Sequence, residues 1–286
     1  MENTVYPPGT LERVQKTQVE ILKAIAALCE EFDLTWFVDS GTCLGAVRHQ
    51  GFIPWDDDID IGLPYEDYLT FCEVAPRVFE GTDLGLYTHA QTPNYPPLFA
   101  KVYLKGTRFI GEQMLEAGLD EGIFVDVFAY AQLDSNPRKA AKQARSFIFW
   151  QRASYLHELA HPYMAGAGAL KPLLSAAATA AHGVVKTVLS ARQIEERFHR
   201  TVAQGDGKGP WTGIFYADWG QFTTGVLFPV TMLPFEDMIV PAPHDTHAFL
   251  TTLYGDYMQL PPEDQRCLKP PVILDFGDGI NVMEQA

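Results

Sequence analysis

The segment Gly51-Phe52-Ile53-Pro54-Trp55-Asp56-Asp57-Asp58-Ile59-Asp60-Ile61-Gly62 constrains this chain more than any other. It sets four carboxylates within five residues and flanks them with apolar side chains. Side chains alternate faces along a strand. A strand over residues 57–61 is therefore predicted to put Asp56, Asp58 and Asp60 on one face, with Asp57, Ile59 and Ile61 on the other. Trp55, Ile59 and Ile61 favour burial, which brings the carboxylates to the edge of a core. Like charges crowded there are screened by water or bound by a hard cation, and magnesium prefers such oxygen ligands.

Two common acidic motifs do not fit. Asp56, Asp58 and Asp60 match the first three ligands of an EF-hand, but Ile61 stands where the turn glycine belongs and Asp67 where the bidentate glutamate belongs. A haloacid-dehalogenase reading lacks the Thr or Val expected after the acidic pair. A catalytic divalent-metal site is the reading that remains ahead of a solvated acidic loop.

Other segments surround this one. Residues 11–32 have helical spacing of apolar side chains, with Thr10 as the expected N-cap. Residues 36–38 read as a short strand, and Asp39-Ser40-Gly41-Thr42 as a polar turn before a helix beginning at Cys43. A glycine-rich turn entering a helix exposes amides to an anion, so Gly41 and Thr42 are candidate phosphate contacts. Arg48 and His49 either complement the helix dipole or meet phosphate. Pro64 suits the first position of a helix running to about residue 79. Strands are expected over 98–104, which carries Lys101 as a further substrate-binding candidate, over 107–110, and over 123–128. The last holds one charge, Asp126, in an apolar run. A charge there needs a partner, either as a third metal-side carboxylate or a base, or in a structural salt bridge. A helix is expected over 246–254, and the last twenty residues, with Pro270 and Pro271, are expected to be irregular.

The net charge of −15 argues against nucleic acid as partner. A small anionic substrate stays compatible with it, because a metal inverts the local field. Residues 137–200 break the pattern with ten Lys or Arg against three Glu. This Ala-rich stretch is expected to be helical, broken near Pro162 and Pro172. Residues 137–204 are read as a basic helical insertion or subdomain, with the catalytic core over about 10–136 and 205–266 of a single domain. Its charge suggests peripheral contact with an anionic membrane or a lipid-linked acceptor. Cys29, Cys43, Cys72 and Cys267 show no metal or redox spacing. No signal-peptide core opens the chain and no run of about 18 apolar residues occurs. A reduced, cytoplasmic protein is expected, with any membrane contact at the inner face.

Taken together these motifs resemble the LicD family of phosphocholine transferases, within the nucleotidyltransferase fold. The resemblance rests on the run from Gly41-Thr42-Cys43-Leu44-Gly45 through Arg48-His49-Gln50-Gly51-Phe52-Ile53-Pro54-Trp55-Asp56-Asp57-Asp58-Ile59-Asp60. It extends to the segments at 122–128 and 254–258, and so spans roughly residues 20–266. The tail departs from it, because Arg266-Cys267-Leu268-Lys269 stands where many members carry a histidine. The resemblance implies an α+β fold with a mixed sheet flanked by helices. It implies magnesium, or manganese in its place, on Asp58, Asp60 and Asp126 with Asp56 adjoining, and phosphate at Gly41 and Thr42. The implied reaction moves phosphocholine from CDP-choline to a sugar hydroxyl of a cell-surface glycan, such as a teichoic acid or lipopolysaccharide, and releases CMP. Alternatives are transfer of ribitol or glycerol phosphate from a CDP-polyol, a nucleotidyltransferase releasing pyrophosphate, and a degenerate nucleotide-binding scaffold. Choline binds aromatic faces beside a carboxylate. Trp55, Phe128, Tyr130, Trp211, Phe215, Tyr216 and Trp219 are the rings at hand, and Tyr216 and Trp219 flank Asp218 in an expected surface turn.

Overall fold

The computed structural model describes residues 6–160, 171–263, 266 and 270–285. Its centre is a six-stranded mixed sheet in the order β1-β2-β6-β4-β3, with β7 pairing the far end of β6. The strands are β1 (Phe37–Val38), β2 (Asp60–Pro64), β3 (Leu84–Tyr87), β4 (Ala100–Leu104), β6 (Phe124–Gln132) and β7 (Trp211–Gly213). Only β2 and β6 run parallel, and every other pair is antiparallel. The expected α+β class with a mixed, helix-flanked sheet is what the chain adopts.

β6 is buried along nearly its whole length, as a strand covered on both faces must be. Val125, Val127 and Phe128 pack there with Ile61 and Leu63 of β2. Helix α1 (Thr10–Glu31) adds Leu22, Ile25 and Leu28 to the same core. Thr10 is its first residue, and the N-cap is Gly9 in the left-handed region, so the expected threonine cap is corrected by one position. Helix α3 (Tyr65–Val78) follows β2 directly, with Pro64 ending the strand and capping the helix.

Helix α2 (Ser40–His49) starts earlier than expected and takes Gly41 and Thr42 into its first turn. The reason is Asp39, whose carboxylate accepts the Ser40 N–H at 2.7 Å and caps the helix. Gln50, at φ 58°, ends it. The next residues are held by a hairpin of β8 (Thr231–Phe235) and β9 (Met238–Ala242). Glu236 in that turn accepts the Phe52 N–H at 3.0 Å. A side chain on Gly51 would collide with the same carboxylate, which is why that position takes glycine.

Helices α5 (Pro137–Glu158), α6 (Lys171–Val188) and α7 (Ala191–Val202) occupy the basic stretch. Pro172 falls within the first turn of α6, where proline is tolerated, and the break expected near Pro162 lies outside the described residues. Helix α9 (Thr246–Tyr254) matches its expected span. The tail differs from expectation. Strand β10 (Ile273–Asp275) pairs with β5 (Arg108–Ile110), because an edge strand offers unpaired backbone groups to any segment able to reach it. No helix among the described residues is long and apolar enough to cross a membrane.

Candidate active site

The acidic segment does not lie in a strand from its start. β2 begins at Asp60, so alternation does not govern residues 56–58 and the expected separation of Asp57 fails. Each of Asp56, Asp57 and Asp58 offers a carboxylate oxygen within 4.8 Å of the others. The turn is fixed from α1, where the Gln15 and Gln18 amides donate to the carbonyls of Asp56 and Asp57 at 2.8 and 2.7 Å. The Tyr6 hydroxyl donates to Asp57 at 2.7 Å.

From Asp60 onward the ladder sets the geometry. Asp60 lies opposite Asp126 on β6, and Asp126 lies opposite Lys101 on β4. Directly opposed residues share a face, so three neighbouring strands bring Asp60, Asp126 and Lys101 together. The Lys101 ammonium is buried, 3.5 Å from Asp126 and 2.9 Å from Glu121. It also lies 3.2 Å from the centroid of the Phe124 ring. Burial works to lower the Lys101 pKa but is outweighed by Asp126 and Glu121, so the lysine is held charged.

Gly41 and Thr42 face the acidic segment. A side chain at Gly41 would come within 2.8 Å of the Asp56 carboxylate. The Thr42 hydroxyl accepts the Asp60 N–H at 2.8 Å, tying α2 to β2. Asp39 already occupies the helix start as a buried carboxylate. Tyr130 donates to its two oxygens at 2.8 and 2.9 Å. Arg48 and His49 sit at the opposite end of α2, roughly 10 Å along its axis. There Arg48 donates to His49 at 2.9 Å and to the Tyr257 carbonyl at 2.8 Å. The structure thus separates this pair from Gly41 and Thr42 at the start of α2.

Tyr216 and Trp219 stack with ring centroids 4.4 Å apart. They line a cleft of about 490 Å³ together with Phe215, Asp218, Tyr155 and Arg152. Tyr155 and Arg152 come from α5, so the cleft lies between the basic helix and the loop after β7. Tyr216 packs on Phe128, two residues along β6 from Asp126, with ring centroids 5.3 Å apart, and burial, then the charges of Asp60 and Asp126, raises its phenol. Trp55 is elsewhere, under Arg266, whose guanidinium lies 5.2 Å from the ring. Trp211 donates to Thr224, Tyr130 serves Asp39, and Phe128 is core.

Four contributors were invisible along the sequence. Asp39 read as a turn residue, Glu121 carried no reading, and Tyr155 fell in an Ala-rich, basic helical stretch. Tyr254 belongs to a segment whose composition assigned it no chemistry. In the fold burial, followed by the charges of Asp60, Asp39 and Asp56, raises its phenol.

Burial raises every carboxyl of the cluster. Asp39 and Asp57 are pushed up to about 6. Asp126, with Lys101 opposing the shift, is pushed to about 7, and Asp56, beside Asp58, to about 8. Asp58 is raised also, and Asp60 well above the usual carboxylate range, each by burial first. Asp126 Oδ1 is buried and accepts no hydrogen bond. An all-oxygen set of buried carboxyls that repel one another fits a hard divalent cation.

The sign of the pH dependence follows. A carboxyl whose folded pKa is raised stabilises the fold below its unfolded value and loses that contribution as pH rises through the folded value. In chelator the melting temperature is therefore expected to fall as pH rises from about 4 to about 8. Magnesium is expected to raise it most at the alkaline end. Thermal melts across that range, with and without the ion, check this; a flat profile in chelator would mean the carboxylates ionise there at no cost.

Residues 33–94 match the family model described as LicD/FKTN/FKRP, nucleotidyltransferase domain. Over 275 residues the chain is 25% identical to the lipopolysaccharide cholinephosphotransferase LicD of Haemophilus influenzae, covering 90% of this chain and 94% of that protein. Over 58 residues it is 43% identical to an uncharacterized protein of Rickettsia typhi, covering 20% of this chain and 19% of that one. Over 61 residues it is 33% identical to the human ribitol 5-phosphate transferase FKRP, covering 21% of this chain and 12% of that one. The resemblance to the LicD family is borne out. The family match contains the Asp39 cap, α2 and the acidic turn, while Lys101, Asp126 and the aromatic cleft lie beyond it.

Proposed function

We propose that the chain transfers a phosphorylated alcohol, phosphocholine foremost, from a CDP-alcohol to a sugar hydroxyl of a surface glycan and releases CMP. The observation that carries this reading is the cleft of Tyr155, Tyr216 and Trp219 with Asp218, whose Tyr216 packs on Phe128, two residues along β6 from Asp126. A quaternary ammonium cannot donate hydrogen bonds, so it is held by ring faces and a neighbouring anion. That is what the cleft offers. The similarity to a cholinephosphotransferase over most of both chains supports the same head group.

Asp56, Asp57, Asp58 and Asp60, with Asp126 adjoining, are the residues that would hold magnesium. When bound, the ion would neutralise the donor's phosphates as the pyrophosphate bond breaks. The first-turn amides of α2 face the same place and supply donors to a phosphate oxygen. Asp126, directly opposite Asp60 on the neighbouring strand and raised by burial, would take the proton of the incoming hydroxyl. The hydroxyl oxygen then bonds to phosphorus, the bridging oxygen leaves with CMP, and the proton passes to Asp126. Lys101 moderates the charge of Asp126 from the neighbouring strand.

Gln113 and Gln151 also line the cleft and are able to bond polyol hydroxyls, which supports ribitol or glycerol phosphate as the second reading. Incubation with CDP-choline, CDP-ribitol and CDP-glycerol in magnesium tests both. CMP release is expected, with CDP-choline bound tightest. Tighter binding of a polyol donor moves the protein to the second reading, and release of pyrophosphate from a nucleoside triphosphate would replace both.

A further inference from the structure

Helix α5 carries a second feature that the transfer chemistry does not use. Its inner face packs Ala140, Gln143, Ala144, Phe147 and Ser154 into the protein. Positions three and four apart share a helix face, and the opposite face reads Arg138, Lys142, Arg145, Phe149 and Arg152, all exposed. Four cations thus form one stripe with an aromatic ring among them. Lys139, off this line, is drawn to Asp134 at 3.6 Å. Among the described residues no ion pair involves Arg138, Lys142, Arg145 or Arg152. Phe149 is 60% exposed, with Trp150 edge-on beside it. At its C-terminal end the stripe reaches Arg152, on the wall of the aromatic cleft.

We infer that this face of α5 docks the protein on an anionic lipid bilayer and presents the cleft to it. Charge complementarity is the first argument. In a chain of net charge −15, an anionic surface repels most of the molecule and attracts this face, which fixes its orientation as well as its affinity. Phe149 is the second argument. Soluble polyanions satisfy cations but gain little from an exposed phenyl ring, whereas a bilayer interface takes up the ring between basic neighbours. The position of Arg152 is the third, because it joins the docked face to the wall of the aromatic cleft. This goes beyond the transfer reading and does not require it.

Co-sedimentation with phosphatidylcholine vesicles, and with vesicles doped with phosphatidylglycerol, tests the inference. The protein is expected to bind only the doped vesicles and to be released by salt. Each cation near such a surface contributes about fivefold, so R138Q/K142Q/R145Q is expected to weaken binding on the order of a hundredfold. Phe149→Ser is expected to weaken it with the salt dependence kept. Far-ultraviolet circular dichroism confirms that both variants remain folded. CMP release from a soluble donor and acceptor is expected unchanged in the triple variant, so loss of docking and failure of the transfer reading are separable. Equal binding to both vesicles, no binding at low salt, or a triple variant that binds like the parent overturns the inference. So does binding of dextran sulfate without any vesicle response, which would make the stripe a contact for an anionic glycan.

Discussion

Asp58→Ala and Asp60→Ala are each expected to lower transfer about a thousandfold or more, a loss of ~4 kcal/mol of transition-state stabilisation. The fold is expected to survive. Asp58 and Asp60 sit among carboxyls that burial and mutual repulsion push above their usual range. Removing one relieves repulsion, so in chelator the melting temperature should hold or rise. In magnesium the order should reverse, because the parent gains more from the ion than either variant does. Donor turnover and paired melts measure the two halves. A variant that keeps near-parental turnover removes its residue from the site, and one that unfolds in chelator shows the carboxylate to be structural.

The second large effect concerns Lys101. Replacing it with Met leaves Glu121 and Asp126 buried on one face without their shared cation. Breaking a buried pair from one side costs about 3–5 kcal/mol, because the remaining charge has neither water nor partner. Urea unfolding of Lys101→Met is expected to show a loss of that size. The double variant Lys101→Met with Glu121→Gln should recover part of it, since one orphaned carboxylate is then gone. Asp126→Asn is a sharper probe of chemistry. Lys101 keeps Glu121 as partner, so stability should fall little while turnover collapses. A loss under about 1 kcal/mol for Lys101→Met would mean the site is wet enough to screen Glu121 and Asp126. Normal specific activity in Asp126→Asn would confine Asp126 to a structural role.

The chain's own order of residues determined a good deal. Apolar periodicity located α1 and Pro64 marked the start of α3, because helix periods and proline's preferences are local properties. The run of carboxylates between buried side chains marked the site, since a cluster of like charges at a core edge demands a counter-ion wherever the rest of the chain goes. The isolated charge of Asp126 in an apolar strand pointed to a partner for the same reason. Local pattern misplaced boundaries where a side chain, not the backbone period, decided them. Asp39 starts α2 before the glycine because its carboxylate caps the first turn, and β2 begins only at Asp60 because the amides of Gln15 and Gln18 hold the preceding turn.

What stood opposite what was settled only by the tertiary structure. The parallel pairing of β2 with β6 sets Asp60 beside Asp126, and the antiparallel pairing of β4 sets Lys101 beside Asp126. These residues are far apart in sequence, and register depends on packing across the whole sheet, which no local window contains. The same holds for Glu121 on Lys101 and for Tyr155 of α5 across the cleft from Tyr216. The sequence named the chemical groups, because charge and hydrophobicity are carried by each residue alone; the fold chose their neighbours, because burial and distance, which decide whether a carboxylate is paired, protonated or bound to a cation, exist only once the chain is folded.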